Sequence, residues 1–281
     1  MQFRLNRRIV GWLRARLDVL PWQRVTDPRL GSTTSWSLES VLSTVILGLI
    51  AGARSFRELE AMSGAMTAPA RRCFRLRGRL SDTTTRDLVA RLSPDEVRAV
   101  LHAQIRIFKR QKALEPERLP WGVLSMDGKA TAINAWDNRY VQKQGSRGVI
   151  RTITASLVSS PGCPCVDAFP IPAATNEMGA YLTALAALVA CYGGIDLFRV
   201  VMYDAGACSE ANARGTRALG LHYIMQLNDG QPTLFAEARR VLPDAPEHVI
   251  AFDDQKGHVR YRMRITRELD RKSTRLNSSH T

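Results

Sequence analysis

Leu124-Ser125-Met126-Asp127-Gly128-Lys129, or LSMDGK, is the stretch on which the fold turns. Residues 123–126 read as a buried strand, and that strand ends on a carboxylate. An isolated charge at the rim of a core is costly unless something pairs with it, so Asp127 points to a metal ion, a base or a salt bridge. Where the other acids fall decides among the three.

Beyond Leu119-Pro120 the chain is written in strands. Residues 149–158, 166–171, 200–203 and 223–227 are further apolar or β-branched runs bounded by Gly, Pro and Asn, and residues 178–192 and 210–219 are helical between them. The order is three strands, a helix, a strand, a helix and a strand. That order fits an α/β domain with a mixed sheet and helices on its faces. The fourth strand runs Val200-Val201-Met202-Tyr203 and continues to Asp204. If it lies beside the strand ending at Asp127, two carboxylates converge, and they repel unless a cation sits between them. Divalent ions activate water and stabilise leaving oxygens in phosphodiester chemistry, which makes Asp127 and Asp204 candidate metal ligands. Spacing alone also allows each Asp to be a helix cap or a loop ion pair.

Upstream, residues 1–118 read as helices throughout. Ser37, Ser55, Ser81 and Ser93 each precede an apolar run, Glu58 makes a capping box with Ser55, and Pro94-Asp95-Glu96 supplies a first turn. The net charge of +14 is concentrated there: residues 1–118 hold 22 basic and 11 acidic side chains, and residues 119–281 hold 18 and 15. Of those 22, 20 are Arg, the better fork for phosphate, so the helical region is expected to meet nucleic acid, which the resemblance described below narrows to double-stranded DNA. The densest segment is Arg71-Arg72-Cys73-Phe74-Arg75-Leu76-Arg77-Gly78-Arg79, in which the five Arg alternate with Phe74 and Leu76 in the manner of a strip lying along a DNA backbone. A solvated charged face is the plainer reading of the same run.

The five cysteines are odd in number and scattered, which argues against a disulfide scaffold and for a reducing, cytoplasmic setting. Cys163-Pro164-Cys165 lacks a second ligand pair and reads as a loop. The apolar run 41–53 contains Ser43, Thr44 and Gly48 and is too short to span a bilayer, so no membrane partner is expected.

Several segments resemble the bacterial insertion-sequence DDE transposases, in the ISAs-type subgroup that includes the H-repeat-associated proteins. Ser125-Met126-Asp127-Gly128-Lys129 resembles the family's D-G-K strand, Asn176-Glu177-Met178 its N-E-(I/M) helix start, and Asp204-Ala205 its second D-A acid. Residues 223–231, YIMQLNDGQ, resemble its Y-x-x-x-(L/V)-K-x-N-Q strand, and Gly257-His258-Val259-Arg260 its G-H-G-R turn. Ser55-Phe56-Arg57-Glu58-Leu59 resembles the S-(F/W)-x-x-I segment of the helical region that precedes the catalytic domain. These matches keep their order over about residues 38–264.

The resemblance implies a helical, basic N-terminal domain over residues 1–118 and an RNase H-like catalytic domain over residues 119–270. It further implies Mg²⁺, with Mn²⁺ as a substitute, cutting of transposon ends and transfer to target DNA, and a homodimer when complete, associated with the bacterial nucleoid. Asp127 and Asp204 take the positions of two metal-binding acids. Arg71, Arg72, Arg75, Arg77, Arg79, Lys129, His258 and Arg260 are the expected DNA contacts, with turn-stabilising roles as the plainer reading of Lys129 and His258.

The departures are specific. Arg262 stands where the family has Glu, Val259 replaces a Gly, and the run at 226–231 lacks the family's Lys. In relatives the helix carrying the third acid lies farther along, so the RNase H-like sheet is expected to be incomplete here, with residues 271–281 a non-native tail. Glu268, in the spacing Tyr261-x2-Arg264-x3-Glu268, is the alternative third acid. A catalytically inactive DNA-binding remnant and a metal-dependent nuclease are the competing functional classes.

Overall fold

Hydroxyl residues ahead of apolar runs start the N-terminal helices. The computed structural model describes residues 7–29, 34–117, 119–133, 140–144, 147–227, 230, 232–241, 248–254 and 257–263. Its first helices are α1 (Arg7–Asp18), α2 (Leu38–Ile50), α3 (Phe56–Ala65), α4 (Ala68–Cys73), α5 (Asp82–Val89) and α6 (Pro94–Arg110). The side chains of Ser37, Ser55, Thr67 and Ser81 each accept a backbone N–H three residues on, satisfying donors that the first turn leaves free. Glu58 closes the bracket at α3 by accepting from the Arg54 N–H at 2.6 Å. Ser93 stands ahead of α6 without a side-chain cap bond, and Pro94 fills the first turn instead.

These helices share a core built from Leu13, Leu17, Leu47, Leu59, Met62, Phe74 and Leu76. The strip at 71–79 therefore needs a correction, because Phe74 and Leu76 point into this core and do not face outward between the arginines. Burying each such side chain is worth about 1.5–3 kcal/mol, which outweighs leaving them on a wet, charged face. Arg75 takes a left-handed φ of 53°, so that the Leu76 N–H returns to the Arg71 carbonyl at 2.9 Å and closes α4.

The sheet follows. Its strands are β1 (Val123–Ile133), β2 (Val141–Gln144), β3 (Arg147–Leu157), β4 (Cys165–Pro170), β5 (Val200–Tyr203) and β6 (His222–Met225), with α7 (Glu177–Tyr192) between β4 and β5 and α8 (Glu210–Ala218) between β5 and β6. The order is β2-β3-β1-β5-β6, with β4 also against β3. β1, β3 and β4 form an antiparallel meander, while β5 and β6 add parallel to β1. This is the mixed sheet expected from the element order, and it is consistent with the RNase H-like arrangement that the resemblance implies. Gly122 makes the β1–β5 junction possible: a Cβ there would fall 2.0 Å from the Leu197 carbonyl oxygen, and its own carbonyl accepts the Arg199 and Val200 N–H groups.

One expectation is corrected. β1 does not end at Asp127 but runs to Ile133, because β3 continues to pair with it as far as Ile133↔Gly148. What ends near Asp127 is the partner on the other side, whose last pair with β1 is Ser125↔Met202.

α7 covers the sheet through Tyr181, Ala184, Leu185, Leu188 and Tyr192, spaced at three and four residues. The segment Glu177–Ile195 is long and apolar enough by composition to cross a membrane, yet these side chains lie in the same core as Leu124, Met126, Ile153 and Val201. Ile105 of α6 and Leu114 join that core too. Farther along, α9 (Pro232–Val241) precedes a hairpin of β7 (His248–Asp254) and β8 (Gly257–Met263). The segment read as a Gly257-His258-Val259-Arg260 turn is thus the start of a strand, with His258 opposite Asp253 and Arg260 opposite Ala251. Its alternating pattern toward Met263 wins over the turn reading. Arg118, Glu268 and residues 271–281 lie outside the described residues.

Candidate metal centre

Parallel pairing of β1 and β5 sets the two aspartates. The ladder runs Val123↔Val200, Leu124↔Val201 and Ser125↔Met202. Two further steps lead to Asp127 on one strand and to Asp204, just past the end of the other, at equivalent heights. Side chains alternate along a strand, so the Ser125–Met202 pair and the two aspartates share a face. Both carboxylates are exposed. An Asp204 oxygen accepts the Gly206 N–H at 2.9 Å, a local turn bond that holds it at the strand end. The Asp127 carbonyl accepts from the Thr154 hydroxyl at 3.2 Å, and its carboxylate has no protein partner among the described residues.

A third carboxylate arrives from α7. Asn176 caps that helix by accepting the Gly179 N–H at 2.9 Å, which places Glu177 in the first turn, over the sheet. Glu177 stands directly on Gly128, where a Cβ would fall 2.2 Å from its Oε2 and 2.3 Å from its Cδ. Only a glycine beside Asp127 gives this carboxylate its room. Glu177 also has no hydrogen bond or ion pair among the described residues.

Tyr203 ends β5, one residue before Asp204. Its side chain is 6% exposed and packs edge-on against Tyr181, with ring centroids 5.1 Å apart. Its hydroxyl finds no partner among the described residues. Burial pushes the phenol pKa up, and the negative charges of Glu177, Asp204 and Asp127 push it further, in that order. All three carboxylates thus act on one buried hydroxyl. Among the described residues no three acidic, imidazole or thiol groups already converge on a single point. Like charges spread apart, and a cation reverses that balance.

The donor set suits a hard divalent cation: carboxylate oxygens and, among the described residues, no cationic side chain in ion-pair contact with them. Lys129 lies two residues from Asp127 on the same face of β1, exposed and outside any ion pair among the described residues. Of the strip arginines, Arg75 pairs with Glu39 at 2.8 Å and Arg79 with Glu60 at 3.3 Å. Arg72 and Arg77 are exposed without an ion pair among the described residues, and Arg71 is half-buried. His258 and Arg260 fall on β8, in a two-stranded sheet separate from the one that carries Asp127. Sequence reasoning did not anticipate the seat of Glu177 on Gly128 or the unpartnered hydroxyl of Tyr203. The Asn176-Glu177 helix start was visible, but its approach to Gly128 depends on the packing of α7 over the sheet.

No family model matches this chain, and no curated protein matches it. Among solved structures, a similar chain is found in the cryo-EM structure of the piggyBac transposase synaptic complex with hairpin DNA. The two are 13% identical over 87% of this chain and 52% of that one, with a TM-score of 0.39. This chain spans about half the length of that neighbour.

Proposed function

We propose that the chain belongs to a DNA transposase of a bacterial insertion sequence, with Asp127 and Asp204 holding Mg²⁺ for phosphodiester cleavage and strand transfer at transposon ends. The observation that carries the proposal is the parallel β1–β5 pairing, which sets Asp127 of the D-G-K segment, within β1, level with Asp204 of the D-A segment, just past the end of β5. A divalent cation bound there supplies an activated water and a sink for charge on the leaving oxygen. Asp127 and Asp204 supply oxygen ligands, and Lys129, on the Asp127 face, presents a cation toward a phosphate. The basic helical region, with Arg72 and Arg77 exposed, grips the duplex through its phosphates.

Calorimetric titration with Mn²⁺ tests the site. Binding by the parent that is lost in the Asp127→Asn, Asp204→Asn double variant supports it, and identical titrations for the two proteins overturn it. A mobility-shift series with duplex DNA tests the other half, where affinity unchanged between low and high salt overturns the phosphate-gripping role.

A further inference from the structure

The outer face of α1 takes no part in the helical core. Leu13 and Leu17 turn inward, while Ile9, Trp12 and Arg16, at spacings of three and four, lie along one exposed side. Trp12 is 59% exposed, and the Arg16 guanidinium stacks over its indole at 5.4 Å, making no ion pair among the described residues. Trp and Arg are the residue types that most often anchor one protein surface in another.

The same helical region carries a surface that could receive them. The end of α2 and one side of α3 enclose a groove of about 340 Å³, lined by Ala51, Ala53, Glu58, Ala61, Met62 and Ala65. Small side chains make most of its walls, which leaves room for a large one to enter. Exposed Leu49 and Ile50, next to Ala51 in the chain, add apolar surface beside it. Glu58 is the charged member of the lining. It is exposed and, beyond its bond to the Arg54 N–H, pairs with no cation among the described residues.

The two rows match in length and in sign. Ile9 and Arg16 stand seven positions apart on α1, and Ala65 and Glu58 stand seven apart on α3, a rise of about 10.5 Å along either helix. Laid antiparallel, Arg16 meets Glu58, Trp12 meets Ala61 and Ile9 meets Ala65. Leu13 and Leu17 already fix α1 in its own core, so its outer face is presented to another molecule. We propose that the Ile9–Trp12–Arg16 face of α1 docks into the α2–α3 groove of a second copy of this chain, with Trp12 as the anchor and Arg16 paired to Glu58. Made reciprocally, the contact occurs twice and closes a dimer. It does not depend on the reading of Asp127 and Asp204 as metal ligands.

Sedimentation velocity on the 281-residue chain over a range of concentrations tests the contact. The parent is expected to pass from monomer to dimer. Trp12→Glu removes the anchor, Ala61→Arg fills the groove and repels Arg16, and each is expected to weaken the dimer by about tenfold or more. Both positions are exposed, so Tm should stay at the parent's value; if Trp12→Glu melts early, Ile9→Glu takes its place. In a mixture of Trp12→Glu with Ala61→Arg, one copy keeps its groove and the other its α1 face. The two are therefore expected to pair more tightly than either pairs with itself. A parent that stays monomeric at every concentration overturns the proposal, as does a dimer that both substitutions leave intact. A mixture that pairs no better than its components overturns the docking of α1 into the groove.

Discussion

Arg98 on α6 reaches Asp167 on β4 with two parallel hydrogen bonds, at 2.8 and 2.7 Å, and fastens the last N-terminal helix to the sheet. Asp167 is 2% exposed, and the His102 ring nitrogen lies 3.2 Å from the same Oδ2 that Arg98 reaches. Burial alone would push its pKa up, but the Arg98 hydrogen bonds and charge, with the His102 ring close by, prevail and bring it down to about 2. Removing one partner of such a pair leaves a buried charge uncompensated. Arg98→Ala is expected to cost about 3 kcal/mol at pH 7, read from urea unfolding midpoints. The loss should be smaller at pH 4, because an Asp167 without its guanidinium protonates there.

The same pair sets an acid limit on the parent. A carboxylate whose folded pKa lies below its unfolded value of about 3.9 stabilises the fold above that value and loses its contribution as pH falls. With Asp167 at about 2, the expected loss is about 2 kcal/mol between roughly pH 4 and pH 2. Unfolding free energies for Asp167→Asn should not share that part of the acid slope, and an identical slope in both proteins would remove the pair as its origin.

Gly122 governs the placement of the aspartates. A Cβ at this position meets the backbone of Leu197 and Phe198, at 2.0 and 2.9 Å, and backbone cannot step aside as a side-chain tip can. Gly122→Ala is therefore expected to cost about 3 kcal/mol and to loosen the start of the β1–β5 ladder. Hydrogen exchange should quicken at the Arg199 and Val200 amides, which donate to the Gly122 carbonyl. Unchanged protection at both amides would sink this account.

Much of this architecture was legible in the chain because its signals are local. Serine caps ahead of apolar runs place α2, α3 and α5, and the β-branched run 200–203 coincides with β5. Other parts depend on distant partners. The second half of β1, Gly-Lys-Ala-Thr-Ala-Ile, has no strand pattern of its own and is held by six paired positions along β3. Phe74 looked like part of a charged strip because sequence cannot tell an inward from an outward side chain in an irregular turn. Asp204 was legible as a strand-end acid and Asp127 as an acid on the neighbouring strand, whereas the seat of Glu177 was not, since it comes from the Gly128 lying under it.

Tyr203 offers a test that does not depend on metal. A buried hydroxyl without a partner costs roughly 1–3 kcal/mol, and a phenyl ring of the same shape avoids that cost. Tyr203→Phe keeps the edge-on contact with Tyr181. In EDTA it is expected to be as stable as the parent or about 1 kcal/mol more so, by chemical denaturation. A loss above 1 kcal/mol would mean that the hydroxyl has a stabilising partner.

The arginine strip makes a graded prediction about DNA. Arg75 and Arg79 already neutralise Glu39 and Glu60, so each must give up a carboxylate before it can gain a phosphate. Arg72 and Arg77 are exposed and carry no such debt among the described residues. Each guanidinium that displaces a condensed counterion steepens the dependence of log K on log salt by about 0.9. The Arg72→Ala, Arg77→Ala double variant should therefore bind duplex DNA more weakly at low salt and flatten that slope by about 2, whatever the DNA sequence. Arg75→Ala with Arg79→Ala should flatten it less and cost little stability, because exposed ion pairs contribute at most about 1 kcal/mol. Fluorescence anisotropy with one labelled duplex across a salt series measures both slopes. Equal flattening by the two pairs would show that the contacts with Glu39 and Glu60 do not hold their arginines back, and no flattening by either would move the DNA surface off this strip.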